Sequence, residues 1–336
     1  MPPQAVIVGS PPHRYRVDES WPTFPCGASD GEAVGVACDS RDRVYVFLRG
    51  PKPVQVFDRE GKPVMNWGEG VFKRPHGIFI GPDDTVYCTD DFEHTVRAFT
   101  SDGKLRFTLG TPDKPSDTGS TSIDYRTIQR PAGPFNRPCN LALGPTGEMF
   151  VADGYGNARV HRFAPDGRLI QSWGEPGDGP GQFHVPHGIA VDNAGVVYVC
   201  DRENSRIQIF SDNGKHLGAW TDVARPCEVF IDKNGMFHVA ELGFRAGRWP
   251  WMGTHEPGQT GGRVSIFDRE GKLHARWGGG ENPCAAGDFF APHDIWVDSR
   301  GDVYVSEVTL SAGGRSGVVP GTCHSLQKFV RDPVHV

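Results

Sequence analysis

The sequence predicts an all-β chain: a six-bladed β-propeller of four-stranded antiparallel blades. Three observations predict it. A block of roughly 40 residues recurs six times along the chain, the period of a propeller blade. Within each block, short runs of alternating apolar residues are separated by Gly- and Asp-bearing turns. Gly 44 and Pro 28 in 336 residues suit many short strands and argue against a helical protein.

The elements follow in order within one propeller domain. Residues 1–31 read as partly irregular, with the region near Tyr15 expected to supply the outer strand that closes the ring. Blade 1, residues 32–73, is a degenerate copy, "EAVGVACDSRDRVYVFLRGPKPVQVF" followed by "DREGKPVMNWG". Blade 2, 74–136, opens on "RPHGIFI" and ends in a long loop at 111–136. Blade 3, 137–184, is "RPCNLALGPTGEMFVADGYGNARVHRF" and then "APDGRLIQSWG". Blade 4, 185–224, is the clearest copy, "VPHGIAVDNAGVVYVCDRENSRIQIF". Blade 5, 225–290, has "RPCEVFIDKNGMFHVAEL", an insertion around "RAGRWPWMGTHEPGQTGG", and "DREGKLHARWG". Blade 6, 291–336, opens on "APHDIWV" and reaches "GTCHSLQKFVRD" as its closing strand. Loops as long as 111–136 and 243–262 are commonly functional, and "RWPWM" reads equally as an aromatic lid or a self-packed surface loop.

Composition narrows the function. A net charge of −6, a pI near 6.1 and no basic stripe argue against a nucleic-acid partner. The first residues lack a basic region leading into an apolar run, and no segment is apolar enough to span a bilayer. A cytoplasmic location is therefore expected, with no membrane partner. Eight scattered cysteines, none in a CxxC pair, are expected to remain thiols and do not suggest a cysteine zinc knuckle.

The strongest chemical signal is the Pro-His pair that heads three strands. His76, His187 and His293 open blades 2, 4 and 6. The first strand of a blade lines the central channel, so residues at the heads of alternate blades stand about 120° apart. Three neutral imidazoles meeting there make a transition-metal site with a fourth position open. A single such histidine is more often structural; three on alternate blades are harder to explain as strand openers. Cys139 and Cys227 take the same frame position in blades 3 and 5, as packing thiols in preference to extra ligands.

At this point the chain resembles the peptidyl-α-hydroxyglycine α-amidating lyases, NHL-repeat propellers, and their bacterial-type relatives. The likeness covers roughly residues 30–330 and is carried by "VADGYGNARV", "WGEPGDGPGQFHVPH", "DRENSRIQIF" and "PHDI". It implies a catalytic Zn²⁺ on His76, His187 and His293. It also implies a structural Ca²⁺ deeper in the channel, on the carbonyls of Val36 and Ile78 and on Asp294, an all-oxygen set suited to a hard cation. It maps the catalytic tyrosine to Tyr155 and the active-site arginines to Arg49 and Arg202. Without it, Tyr155 is a strand-end aromatic, Arg202 an ordinary partner for Asp201 or Glu203, and Arg49 a solvated loop base. The chain departs from the pattern at Ala291, where the family has Met, and at Gly156, where secreted members have Cys.

The reaction so implied is cleavage of a carbinolamide, an N-acyl-α-hydroxyglycine of small-molecule or peptide-like type, to a primary amide and glyoxylate. No copper monooxygenase unit accompanies the chain, so a separate hydroxylase is expected to make the substrate. Two alternatives stay open. One is a metal-dependent hydrolase or lactonase using the same open coordination position; the other is a non-enzymatic NHL-type binding platform.

Overall fold

A computed structural model describes residues 5–253 and 256–332. The fourth repeat shows how each copy folds. Pro186–Val191, Val197–Asp201, Arg206–Phe210 and His216–Trp220 pair antiparallel in chain order. The second strand is buried along its whole length, whereas the outermost alternates half-buried and exposed positions until the buried Trp220. That is why the inner runs read as continuous apolar sequence and the outer ones as half-polar. The turn between the first two strands is set by Asp192, whose Oδ1 accepts from the backbone N–H groups of Ala194 and Val196, both at 2.9 Å. Asp39, Asp232 and Asp298 build the same turn in other repeats, and Asp268 builds a like turn between the third and fourth strands of the fifth.

The fold class is the expected six-bladed propeller of four-stranded antiparallel sheets. The last sheet differs in having five strands. Its inner three are Pro292–Val297, Val303–Glu307 and Leu326–Arg331, and the N-terminal Ile7–Ser10 and His13–Val17 complete it. Tyr15 pairs with Arg331 and Val17 with Phe329, so the sheet joins the two ends of the chain.

The chain divides into two compact units, Met1–Asn66 with Phe230–Val336, and Trp67–Val229. In the first, Tyr15, Val264, Trp277, Phe289, Ile295 and Phe329 belong to one core cluster, and Trp21, Val36, Val46, Phe57 and Tyr304 to another. In the second, one cluster gathers Phe150, Trp173, Phe183, Val199 and Phe210, and another gathers Val96, Phe135, Leu141 and Phe163. Each cluster is made by side chains from adjoining sheets.

One expectation about the cysteines is corrected. Cys284 and Cys323 form a disulfide, their Cα atoms 4.9 Å apart, while the other six cysteines are free and buried. Folding brings together two loops that are 39 residues apart in sequence. Scattered spacing concealed that pairing. No helix among the described residues is long and apolar enough to cross a membrane.

Candidate active site

Within the unit Trp67–Val229, four of the expected residues come together. His76 and His187 head the inner strands Pro75–Ile80 and Pro186–Val191. In both strands the pairing register slips between the proline and the residue three places on, so each histidine sits on a β-bulge. A bulge re-aims the side chain that it carries. His76 Nδ1 lies 2.8 Å from the carbonyl oxygen of Cys139, and His187 Nδ1 lies 2.8 Å from that of Cys227. A carbonyl can only accept, so Nδ1 carries the proton and donates, and Nε2 keeps its lone pair. The same close approach explains the glycine after each histidine. A Cβ on Gly77 or Gly188 would stand 2.5 Å from that neighbouring carbonyl oxygen.

The two rings are 4.8 Å apart between centroids, and both are almost wholly buried. Tyr155 completes the group. Its hydroxyl is 3.2 Å from His187 Nε2 and 3.4 Å from His76 Nε2. Arg202 donates from Nη1 to the same hydroxyl at 2.9 Å and lies over the phenol ring, 5.2 Å from its centroid. Desolvation pushes the Tyr155 phenol above its usual range, and the Arg202 guanidinium opposes that rise.

Arg202 is itself held. Its Nε donates to Glu203 Oε1 at 2.8 Å, and the buried Arg225 donates to the same carboxylate from Nη2 and Nε, at 2.9 and 3.1 Å. The sequence offers Glu203 as an ordinary partner of Arg202, which the structure bears out, but the reading missed Arg225 as the second donor. The signal was present, since Glu203 follows Arg202 directly and Arg225 stands at the head of the next blade. Cys139 and Cys227 contribute their carbonyls. Burial pushes both thiols up, Cys227 to about 11, so they stay neutral.

The unit Met1–Asn66 with Phe230–Val336 holds the rest, Ile78 excepted. His293 heads Pro292–Val297 on the same kind of bulge and is 4% exposed. Its Nδ1 lies 2.7 Å from the Val34 carbonyl, so a third histidine repeats the construction of the other two. Asp294 accepts from the backbone N–H of Val36 at 3.1 Å and from that of Ile295 at 2.8 Å. Val36 and Asp294 are thus adjacent, through the amide of Val36. Arg49 Nη1 donates to Glu32 Oε2 at 3.1 Å and to Ser311 Oγ at 3.3 Å. Ile78 lies buried in Pro75–Ile80 of the other unit.

A further device recurs at the strand ends. Asp90, Asp153, Asp201 and Glu307 each end the second strand of a sheet. Each accepts from backbone N–H groups one or two residues ahead of that sheet's first strand: Lys73 and Arg74, Asn136, His184, and Phe290 and Ala291. These carboxylates clamp the segments that present the channel-head residues. In the sequence they read only as a polar break after "VYV".

Residues 183–210 match the NHL repeat. Human NHL repeat-containing protein 3 is 37% identical over 222 residues, covering 62% of this chain and 60% of that protein. The Drosophila melanogaster peptidyl-alpha-hydroxyglycine alpha-amidating lyase 1 is 34% identical over 193 residues, 52% of this chain and 33% of the fly protein. The chain is a homologue of the amidating lyases. Its match spans about three fifths of the human relative's length and a third of the fly lyase's. Among solved structures, a gluconolactonase from Xanthomonas campestris superposes with a TM-score of 0.60 at 12% identity, covering 98% of this chain and 96% of that one. At that identity the likeness is one of fold alone. The bulged histidines and the Tyr155–Arg202 pair are the features of this chain that bear on chemistry.

Proposed function

We propose that the protein is a metal-dependent carbon–nitrogen lyase that cleaves an N-acyl-α-hydroxyglycine into a primary amide and glyoxylate. The observation that carries the reading is the Tyr155 hydroxyl, set between two imidazole Nε2 atoms and the Arg202 guanidinium. The names and sequences of the lyase relatives support it.

His76, His187 and His293 are the residues that would hold the metal ion. The donor set fits: each Nδ1 is occupied by a backbone carbonyl, so Nε2 is the nitrogen left with a lone pair. Zinc in this His₃ setting would supply Lewis acidity that makes the substrate hydroxyl easier to ionise. Calcium is the proposed occupant of the Val36, Ile78 and Asp294 oxygens, in a structural role.

The chain's own residues do the rest. Arg202 favours the ionised form of Tyr155, which takes the proton of the substrate hydroxyl. As the C–O bond becomes a carbonyl, the bond from carbon to the amide nitrogen breaks. Tyr155 then returns its proton to that nitrogen. Atoms and charge balance: one carbinolamide gives one amide and one glyoxylate. Arg49 would grip the substrate carboxylate, where a guanidinium offers a two-point match. The experiment is a glyoxylate assay on purified protein with α-hydroxyhippurate. Glyoxylate released in step with benzamide supports the lyase; opening of a lactone without glyoxylate release from α-hydroxyhippurate would replace it with a hydrolase.

A further inference from the structure

The residue two places before each channel-head position is Arg in blades 2, 3 and 5: Arg74, Arg137 and Arg225. All three lie in the unit Trp67–Val229. Arg225 is committed to Glu203, as described above. Arg74 and Arg137 converge elsewhere, on Phe92. The Arg74 guanidinium lies 4.7 Å from the Phe92 ring centroid, and that of Arg137 lies 5.9 Å from it. Phe92 itself is 46% exposed, on the turn between Val86–Asp90 and Thr95–Phe99.

Of the two guanidiniums, only one is paired with a carboxylate. Arg74 Nη1 is paired with the buried Asp91, whereas Arg137 makes no ion pair among the described residues. Arg137 Nη1 is sealed from solvent and has no hydrogen-bond partner. A cationic N–H in that state is costly, and an anion is its natural complement. The backbone at Arg137 is left-handed, with φ of 61°, and its N–H donates to His94 Nδ1 at 3.0 Å. Strain of this kind in a non-glycine residue gathers at functional sites. The group is also close to the reacting centre, because the backbone N–H of Tyr155 donates to the Arg137 carbonyl at 3.3 Å.

We propose that Arg137, with Arg74 beside it, forms an anion-binding subsite next to Tyr155, and that the substrate carries a second acidic group, a carboxylate at the far end of its acyl chain. The exposed Phe92 ring then supports the alkyl segment between the two ends. The substrate half of this proposal rests on the lyase reading; the subsite itself does not.

Two measurements separate them. In the first, glutarate is titrated calorimetrically into wild-type protein, Arg137→Asn and Arg137→Lys. Asn is tolerated in the left-handed region, so the backbone is spared, and thermal melting checks each fold. The expected result is binding to wild type, weakened about tenfold or more in Arg137→Asn and partly restored in Arg137→Lys, the scale of one charge-assisted hydrogen bond. No glutarate binding to wild type, or equal binding to Arg137→Asn, overturns the subsite. In the second, N-glutaryl- and N-pentanoyl-α-hydroxyglycine are compared by kcat/KM. A preference of about tenfold or more for the glutaryl compound, collapsing in Arg137→Asn, is expected; equal use of the two overturns the acidic-substrate proposal. Glyoxylate from neither compound means that the lyase reading has failed, and the glutarate titration still decides the subsite.

Discussion

Tyr155, Arg202 and Glu203 form a relay in which each residue sets the next. Tyr155→Phe removes the hydroxyl and leaves the imidazoles alone, so metal content should hold while kcat falls by about 10²–10⁴, the usual worth of a positioned acid–base group. Stopped assays of glyoxylate release alongside elemental analysis check both halves. Glu203→Gln is the subtler change. It removes the charge that two guanidiniums share, at Oε1 and Oε2. Arg202 then loses its anchor, and kcat should drop by about tenfold with KM little altered. At this scale the sequence was partly legible. The histidines announced themselves by recurrence, and Tyr155 and Arg202 by likeness to a family motif. Glu203 was legible only as an ordinary partner of Arg202, because an acid beside an arginine reads as a surface pair until burial shows otherwise, and Arg225 was not read at all.

Among the elements, the first strand of each sheet carries the design. Proline, histidine or cysteine, and a bulge recur at its head, and the carbonyl of a neighbouring strand fixes the ring. The glycine of Pro-His-Gly is part of that contact. Gly188→Ala would drive a Cβ into the Cys227 carbonyl. The backbone must shift, at a cost of about 1–3 kcal/mol by analogy with overpacked cores. Denaturant unfolding should report that loss, and His187 should bind metal more weakly in the same variant. Strand existence was readable from alternation and Asp-Gly turns. The bulges were not, since they come from register, which depends on how two strands meet. The insertion at 243–262 also turned on packing. Arg248 donates to the carbonyls of Phe244, Met252 and Gly253, and Trp249 stacks on Trp251 at 5.0 Å. That favours a loop packed on itself over a free aromatic lid.

For the molecule as a whole, the joining of chain ends and the disulfide matter most. His13–Val17 pairs with Leu326–Arg331, and Tyr15 and Val17 belong to a buried cluster. Deleting residues 1–18 would strip that sheet of two strands and expose Phe329 and Trp277. The truncated protein should melt well below the full chain in calorimetry. Cys284–Cys323 closes a loop of 39 residues, and Cys323→Ser should cost about 2–4 kcal/mol in denaturant unfolding. The closing strand near Tyr15 was visible as an orphan strand at the wrong end of the chain. The disulfide was invisible, because no sequence pattern links a residue before blade 6 to one inside it. The central claim concerns the three bulged histidines, each with Nδ1 tied to a carbonyl and Nε2 left for one shared ion. Elemental analysis of purified wild type and of His76→Ala, His187→Ala and His293→Ala tests it most directly. The account predicts about one equivalent of transition metal in wild type and its loss in every one of the three variants. Wild type without such a metal, or any variant that keeps the full equivalent, would contradict it.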